Sequence, residues 1–94
     1  MGDGYVVAEE SITTVSQAKD LRDNVPVVMT GYIIKSLGDE KYTFQDDSGN
    51  MTVEIDDENW RGLTVSPADR VRLRGQVDRG IFSTEIDVER IEKI

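Results

Sequence analysis

Val-Pro-Val-Val-Met-Thr-Gly-Tyr-Ile-Ile-Lys-Ser-Leu, residues 25–37, is the stretch on which the fold turns. It is more than twice the usual strand length of about five to six residues and rich in strand-forming side chains. Pro26 lies near its start, where a missing ladder donor is tolerated, and Gly31 interrupts it midway. Beyond Gly31, the residues Tyr32, Ile33 and Ile34 are apolar on both faces. A long strand with a central glycine predicts a bend that lets one strand serve two sheets.

Downstream the chain continues in β-runs. Gly38-Asp39 marks a turn, and Lys41 to Gln45 alternates Tyr42 and Phe44 on one face with Lys41, Thr43 and Gln45 on the other. Asp46-Asp47-Ser48-Gly49-Asn50 reads as a hairpin loop. The third run points Met51, Val53 and Ile55 inward, with Thr52, Glu54 and Asp56 outward. Asp57 to Leu63 breaks the alternation and reads as a helical turn opened by acids. Ser66-Pro67-Ala68-Asp69 is a further turn. The fourth run, Arg70 to Val77, puts Val71, Leu73 and Val77 inward and three arginines outward. The fifth, Phe82 to about Ile91, puts Ile86 and Val88 inward. A tight turn at Arg79-Gly80 would pair Val77 with Phe82, Leu73 with Ile86 and Val71 with Val88. It would also set Arg74, Arg72 and Arg70 opposite Glu85, Asp87 and Glu89.

Upstream, Thr14 to Arg22 reads as the one helix. Thr14 and Gln17 form a capping-box pattern, and Val15, Ala18 and Leu21 make a narrow apolar stripe suited to closing a barrel end. Residues 1–10 read as a flexible N-terminal arm, and 11–94 as a single domain. One helix, five strands and a bent first strand predict a mainly β fold: a five-stranded barrel of the oligonucleotide/oligosaccharide-binding (OB) type. An N-terminal helix precedes it, and a short helical turn sits between strands 3 and 4. Gly75 is a second place for tight curvature.

The 94 residues carry a net charge of −8 and contain neither His nor Cys. Imidazole- or thiolate-based zinc sites and Ser-His or Cys-His nucleophiles are thereby excluded. No apolar run reaches the roughly 20 residues needed to span a bilayer. The opening Met-Gly-Asp-Gly reads as a start placed where an export signal was removed.

Six segments carry a family resemblance: Thr-Thr-Val-Ser-Gln-Ala-Lys (13–19), Gly-Tyr-Ile-Ile-Lys (31–35), Tyr-Thr-Phe-Gln-Asp-Asp-Ser-Gly (42–49), Val-Glu-Ile-Asp (53–56), Trp-Arg-Gly-Leu-Thr-Val-Ser-Pro (60–67) and Ser-Thr-Glu-Ile-Asp-Val (83–88). On these the chain resembles the bacterial OB-fold (BOF) proteins. The resemblance implies an N-terminal helix before a five-stranded OB barrel, a periplasmic location and a role in bacterial stress tolerance. It implies no catalytic residue and no agreed ligand.

An OB barrel binds through its second and third strands and the flanking loops. The outward residues there are Lys41, Thr43, Gln45, Thr52, Glu54 and Asp56. None is aromatic, and the acids outnumber the lysine, so single-stranded nucleic acid is disfavoured. Asp46, Asp47, Glu54, Asp56, Asp57 and Glu58 read first as acids that keep the surface solvated, and second as a negative patch at one end of the third strand, suited to a cationic peptide or small molecule. Trp60 is expected to plug the barrel end, the alternative being an open groove where it stacks on a sugar ring. A glycan, including cell-wall saccharide, is therefore the second ligand class. Asp46-x-Ser48-x-Asn50 has the start of a calcium-loop spacing, but Met51 stands where that loop needs Gly. No metal, no cofactor and no enzyme activity are expected. Adjacent Asp56, Asp57 and Glu58 point apart at a strand end, and so small a barrel has little cleft in which to raise a carboxyl pKa. A monomer is the expected state.

Overall fold

The computed structural model describes residues 11–94, so the N-terminal arm lies outside the described residues. Five strands follow a short helix: β1 (Pro26–Gly38), β2 (Lys41–Asp46), β3 (Gly49–Ile55), β4 (Arg70–Arg79) and β5 (Thr84–Lys93). They close into a barrel in the order β1-β2-β3-β5-β4. All pairings are antiparallel except β3 with β5, which is parallel.

The bend at Gly31 closes this barrel. Residues 26–32 of β1 pair with β4 and residues 32–38 with β2, and Tyr32 faces partners on both sides. At Gly31 the two backbones come so close that a Cβ would collide with the Gln45 carbonyl oxygen and lie 2.8 Å from the Phe44 ring. Gly75 plays the same part where β4 crosses β5: a Cβ there would strike the Asp87 carbonyl oxygen. Alternation then fills the interior with Met29, Phe44, Val53, Val71, Leu73 and Ile86, each fully buried. Among the described residues, no polar or charged side chain is buried. Tyr42 shares the inward parity of Phe44 but is only half-buried, at the barrel's edge against Trp60.

Two elements depart from expectation. Helix α1 is Val15–Ala18 rather than 14–22. Its capping box is formed as predicted, with the Thr14 hydroxyl accepting from the Gln17 amide. Beyond Ala18 the amides of Asp20 and Leu21 bond three residues back, to Gln17 and Ala18. The coil thus tightens to a three-residue turn, as the spacing of Val15, Ala18 and Leu21 permits.

The second departure is the β4–β5 register. Val77 faces Ile86 rather than Phe82, a displacement of four residues. The hairpin closes later, through the Gly80 amide on the Ser83 carbonyl. A shift by an even number keeps each apolar face inward, so alternation alone could not distinguish the two registers. Glu89 is an extra residue between the rungs Arg74↔Arg90 and Gly75↔Val88, so the inward position that follows Val88 is Ile91 rather than Arg90. The ladder therefore does not set the arginines opposite the expected acids. Arg72 instead pairs with Glu92 at 3.0 Å, Arg74 stands opposite Arg90, and the Arg70 guanidinium donates to the Thr30 hydroxyl.

The hairpin joining β2 to β3 holds α1 in place. Asp46 accepts the Val15 amide at 2.9 Å while its other oxygen accepts the Ser48 amide and hydroxyl, and Ser48 in turn accepts the Ser16 amide. Burial pushes the Asp46 carboxyl up, but the bonds from the Ser48 hydroxyl and the Val15, Ser48 and Gly49 amides outweigh it and hold the pKa below the usual value.

Replacing Gly31 by Ala should destabilise the fold by at least about 2 kcal/mol, because the neighbour it meets is backbone; urea unfolding measures this. Asp46→Ala should cost about 1–2 kcal/mol through loss of the cap. Since the folded pKa of Asp46 is lowered, its contribution is present above the ordinary carboxylate pKa and is lost as pH falls through the lowered one. The melting temperatures of wild type and variant should therefore differ at neutral pH and converge at acidic pH.

Candidate functional site

Closure places the outer faces of β2, β3 and β5 side by side. Lys41 lies opposite Glu54 and Thr43 opposite Thr52 across β2–β3, and Glu54 is in register with Asp87 across β3–β5. The β1–β2 turn runs through Asp39 and Glu40, both with positive φ of 56° and 64°, which is the backbone a two-residue hairpin requires. Glu40 is fixed there by accepting the Asp57 amide at 2.6 Å. From these strands two carboxylate trios assemble: Glu40, Glu54 and Asp56, and Glu54, Asp78 and Glu85. In each, one oxygen per residue lies within 4.8 Å of the others.

Lys41 sits among them and bonds Glu85 at 3.1 and 3.2 Å to its two oxygens. That hydrogen bond, with the Glu85 charge, raises the lysine pKa. Burial, then the charges of Asp56 and Asp87, raises the Glu54 carboxyl, with Lys41 offsetting only part of the effect. Burial, then Asp56, Asp78 and Glu89, raises Asp87. The face therefore holds more negative charge than its one lysine compensates.

Of the residues singled out in the sequence, Lys41, Thr43, Thr52, Glu54 and Asp56 stand on this one face, with Gln45 at its far end beside Tyr32. The expected acidic patch is divided. Asp46 and Asp47 precede β3 whereas Asp56, Asp57 and Glu58 follow it, so the length of the strand, about 20 Å, separates them. Asp46 is moreover committed to α1. In their place Asp78, Glu85 and Asp87 join the patch. The sequence signal for Glu85 and Asp87 was the outward parity of β5, and for Asp78 that of β4; the wrong register obscured their meeting.

Trp60 stands apart from the acidic face. It ends the 3-10 turn Asp57–Trp60 and packs edge-on to Tyr42, ring centroids 5.4 Å apart. It is half-buried against the core and also lines an open cleft of about 450 Å³ with Ile34, Ser36, Tyr42, Thr64 and Pro67. The apolar outward side of β1 at Ile34 thus faces this cleft. A second cleft, of about 420 Å³, lies between Tyr32, Arg70, Thr30 and the Asp46–Ser48 hairpin. Tyr32 is an exposed aromatic of β1 that was not among the expected site residues.

The family model for the bacterial OB fold (BOF) protein matches residues 1–93. Protein YgiW of Escherichia coli (strain K12) is 45% identical over 84 residues, which are 89% of this chain and 65% of that protein. This chain thus spans just under two thirds of that relative's length. The calcium-regulated OB-fold protein CarO of Pseudomonas aeruginosa is 42% identical over 87 residues, 93% of this chain and 75% of that protein. The solved structure of E. coli YgiW superposes with a TM-score of 0.89 at 42% identity, covering 99% of this chain and all of that one. With the closed five-stranded barrel and its capped N-terminal helix in hand, these matches establish that the chain belongs to the bacterial OB fold (BOF) family.

Proposed function

We propose that this protein is a non-enzymatic binding module of the bacterial periplasm that takes a cationic peptide or small molecule on the acidic face of β2, β3 and β5. The observation that carries this reading is the uncompensated charge at Glu54 and Asp87, whose carboxyls are held above their ordinary pKa beside a single lysine. Burial, and after it the neighbouring carboxylates, disfavour these charges, and a bound cation offsets both with attraction. The shallow, partly buried setting suits ammonium or guanidinium groups spread along a strand. A divalent ion asks for six or more oxygens, and each trio supplies three side chains. The calcium in the name of the Pseudomonas relative concerns regulation of that protein.

Nucleic acid fits less well, because Phe44 is buried, Tyr42 faces Trp60 and the field is of the wrong sign. An enzyme fits less well too, since among the described residues these carboxylates lie on a shallow face rather than in a cleft that excludes water. The family resemblance supports a place in envelope stress tolerance, where a monomeric module would bind its ligand reversibly. A glycan is the second reading, favoured by the Trp60–Tyr42 cleft with Ser36 and Thr64 on its walls.

Calorimetric titration with hexalysine at low salt tests the first reading. Binding should weaken about three- to tenfold in Glu54→Gln/Asp87→Asn, which removes two exposed ion pairs. It should also weaken as pH is lowered from about 7 to about 4.5, because raised carboxyl pKa values mean that these groups protonate early. Absence of heat at any pH would overturn the reading. For the glycan reading, cell-wall fragments should quench or shift Trp60 emission; an emission spectrum unmoved by them would exclude this cleft.

A further inference from the structure

The tip of the β4–β5 hairpin is the most conspicuous unexplained surface. Ile81 is 93% exposed and Phe82 98%, while the other exposed large apolar residues of the described chain lie between 36% and 48%. Hairpin tips ordinarily carry Gly, Asn, Asp or Ser, whose reasons for being there are conformational and polar. Gly80 and Ser83 already close this loop through the Gly80 amide. Nothing in the turn requires the two apolar side chains between them, and on the side of α1 they border an open cleft of about 330 Å³ with Lys19 and Arg79.

Their position relative to the acidic face is fixed by the ladder. Asp78 and Glu85 form a rung of β4–β5, Arg79 and Thr84 the next, and the loop follows. Ile81 and Phe82 therefore stand about 7–10 Å beyond Asp78 and Glu85 at 3.3 Å per residue. That rung belongs to the carboxylate trio completed by Glu54. Arg79, the nearest cation along the strand, has its guanidinium turned back onto the carbonyls of Lys19 and Leu21.

We propose that Ile81 and Phe82 form an apolar anchor at the rim of the acidic face, so that the partner is an amphipathic basic peptide. Its cationic side chains would lie over Glu54, Glu85 and Asp87 while an apolar residue packs on the Phe82 ring. This rests on the cationic-ligand reading above and adds the partner's second chemical requirement. Charge selects this occupant over the others. A second copy would bring two acidic surfaces together, and the same surface repels anionic lipid headgroups.

The test compares hexalysine with a peptide of six lysines bearing two central leucines, titrated calorimetrically into the full chain and into Ile81→Ser/Phe82→Ser. Both substituted positions are fully exposed, so the variant should fold as the parent does. The leucine-containing peptide should bind wild type about tenfold more tightly than hexalysine. The variant should bind both peptides alike, with the affinity for hexalysine unchanged. Equal binding of the two peptides to wild type would overturn the anchor while leaving the acidic-face reading intact. A preference that survives in the variant would overturn it as well. Failure of both peptides to bind wild type would remove both readings. Concentration-dependent dimers in sedimentation, or binding to phosphatidylcholine vesicles, abolished by the same double substitution would assign the tip to self-association or to lipid and overturn the proposal.

Discussion

Backbone against backbone at Gly31 is the contact from which the rest of the molecule follows. Only hydrogen fits between β1 and the Gln45 carbonyl, so the strand can turn sharply there and give one half of its ladder to β4 and the other to β2. Without that turn, β1 would be the straight edge of an open sheet, with a row of unpaired amides and a half-exposed core. With it, the barrel closes, no strand edge is left over, and the interior fills with aliphatic side chains and Phe44. Gly75 repeats the device across the barrel where β4 meets the bulged β5. Two hydrogens in place of methyl groups thus govern the curvature of a whole domain.

Closure also decides what the outside can do. The parallel junction of β3 with β5 sets Glu54 in register with Asp87, two acids that neither hairpin alone would bring together. Asp78 and Glu85 arrive from the β4–β5 rung and Glu40 from the β1–β2 turn. Lys41 is held by Glu85 and cannot neutralise them all. The domain tolerates this because the face is solvated and the core bears the folding energy.

Local patterns legible along the chain reappear in the fold. The Thr14–Gln17 capping box forms, Gly31 bends its strand, and the inward parity of Phe44, Met51, Val53 and Ile55 is that of the barrel interior. Reading failed where two arrangements satisfy the same pattern. Pairing Val77 with Phe82 or with Ile86 buries equivalent faces, and only the longer Gly80–Ser83 closure and the Glu89 bulge select the second. The acidic patch was misassembled for a related reason. Asp46 and Asp56 look close because they are ten positions apart, yet the residues between them include a whole extended strand, and Asp46 is drawn off to cap a helix.

Alternation of side chains, glycine placement and cap chemistry are local properties, governed by sterics and hydrogen bonding within a few residues. For that reason the chain by itself determined a mainly β barrel, its inward residues and its bend. Which acids share a face, where Phe82 ends up and how Trp60 divides between core and cleft depend on non-local pairing. Coulombic and packing energies there are set by through-space distance, and distance between segments far apart in sequence exists only once the barrel has closed. The tertiary structure alone decided those.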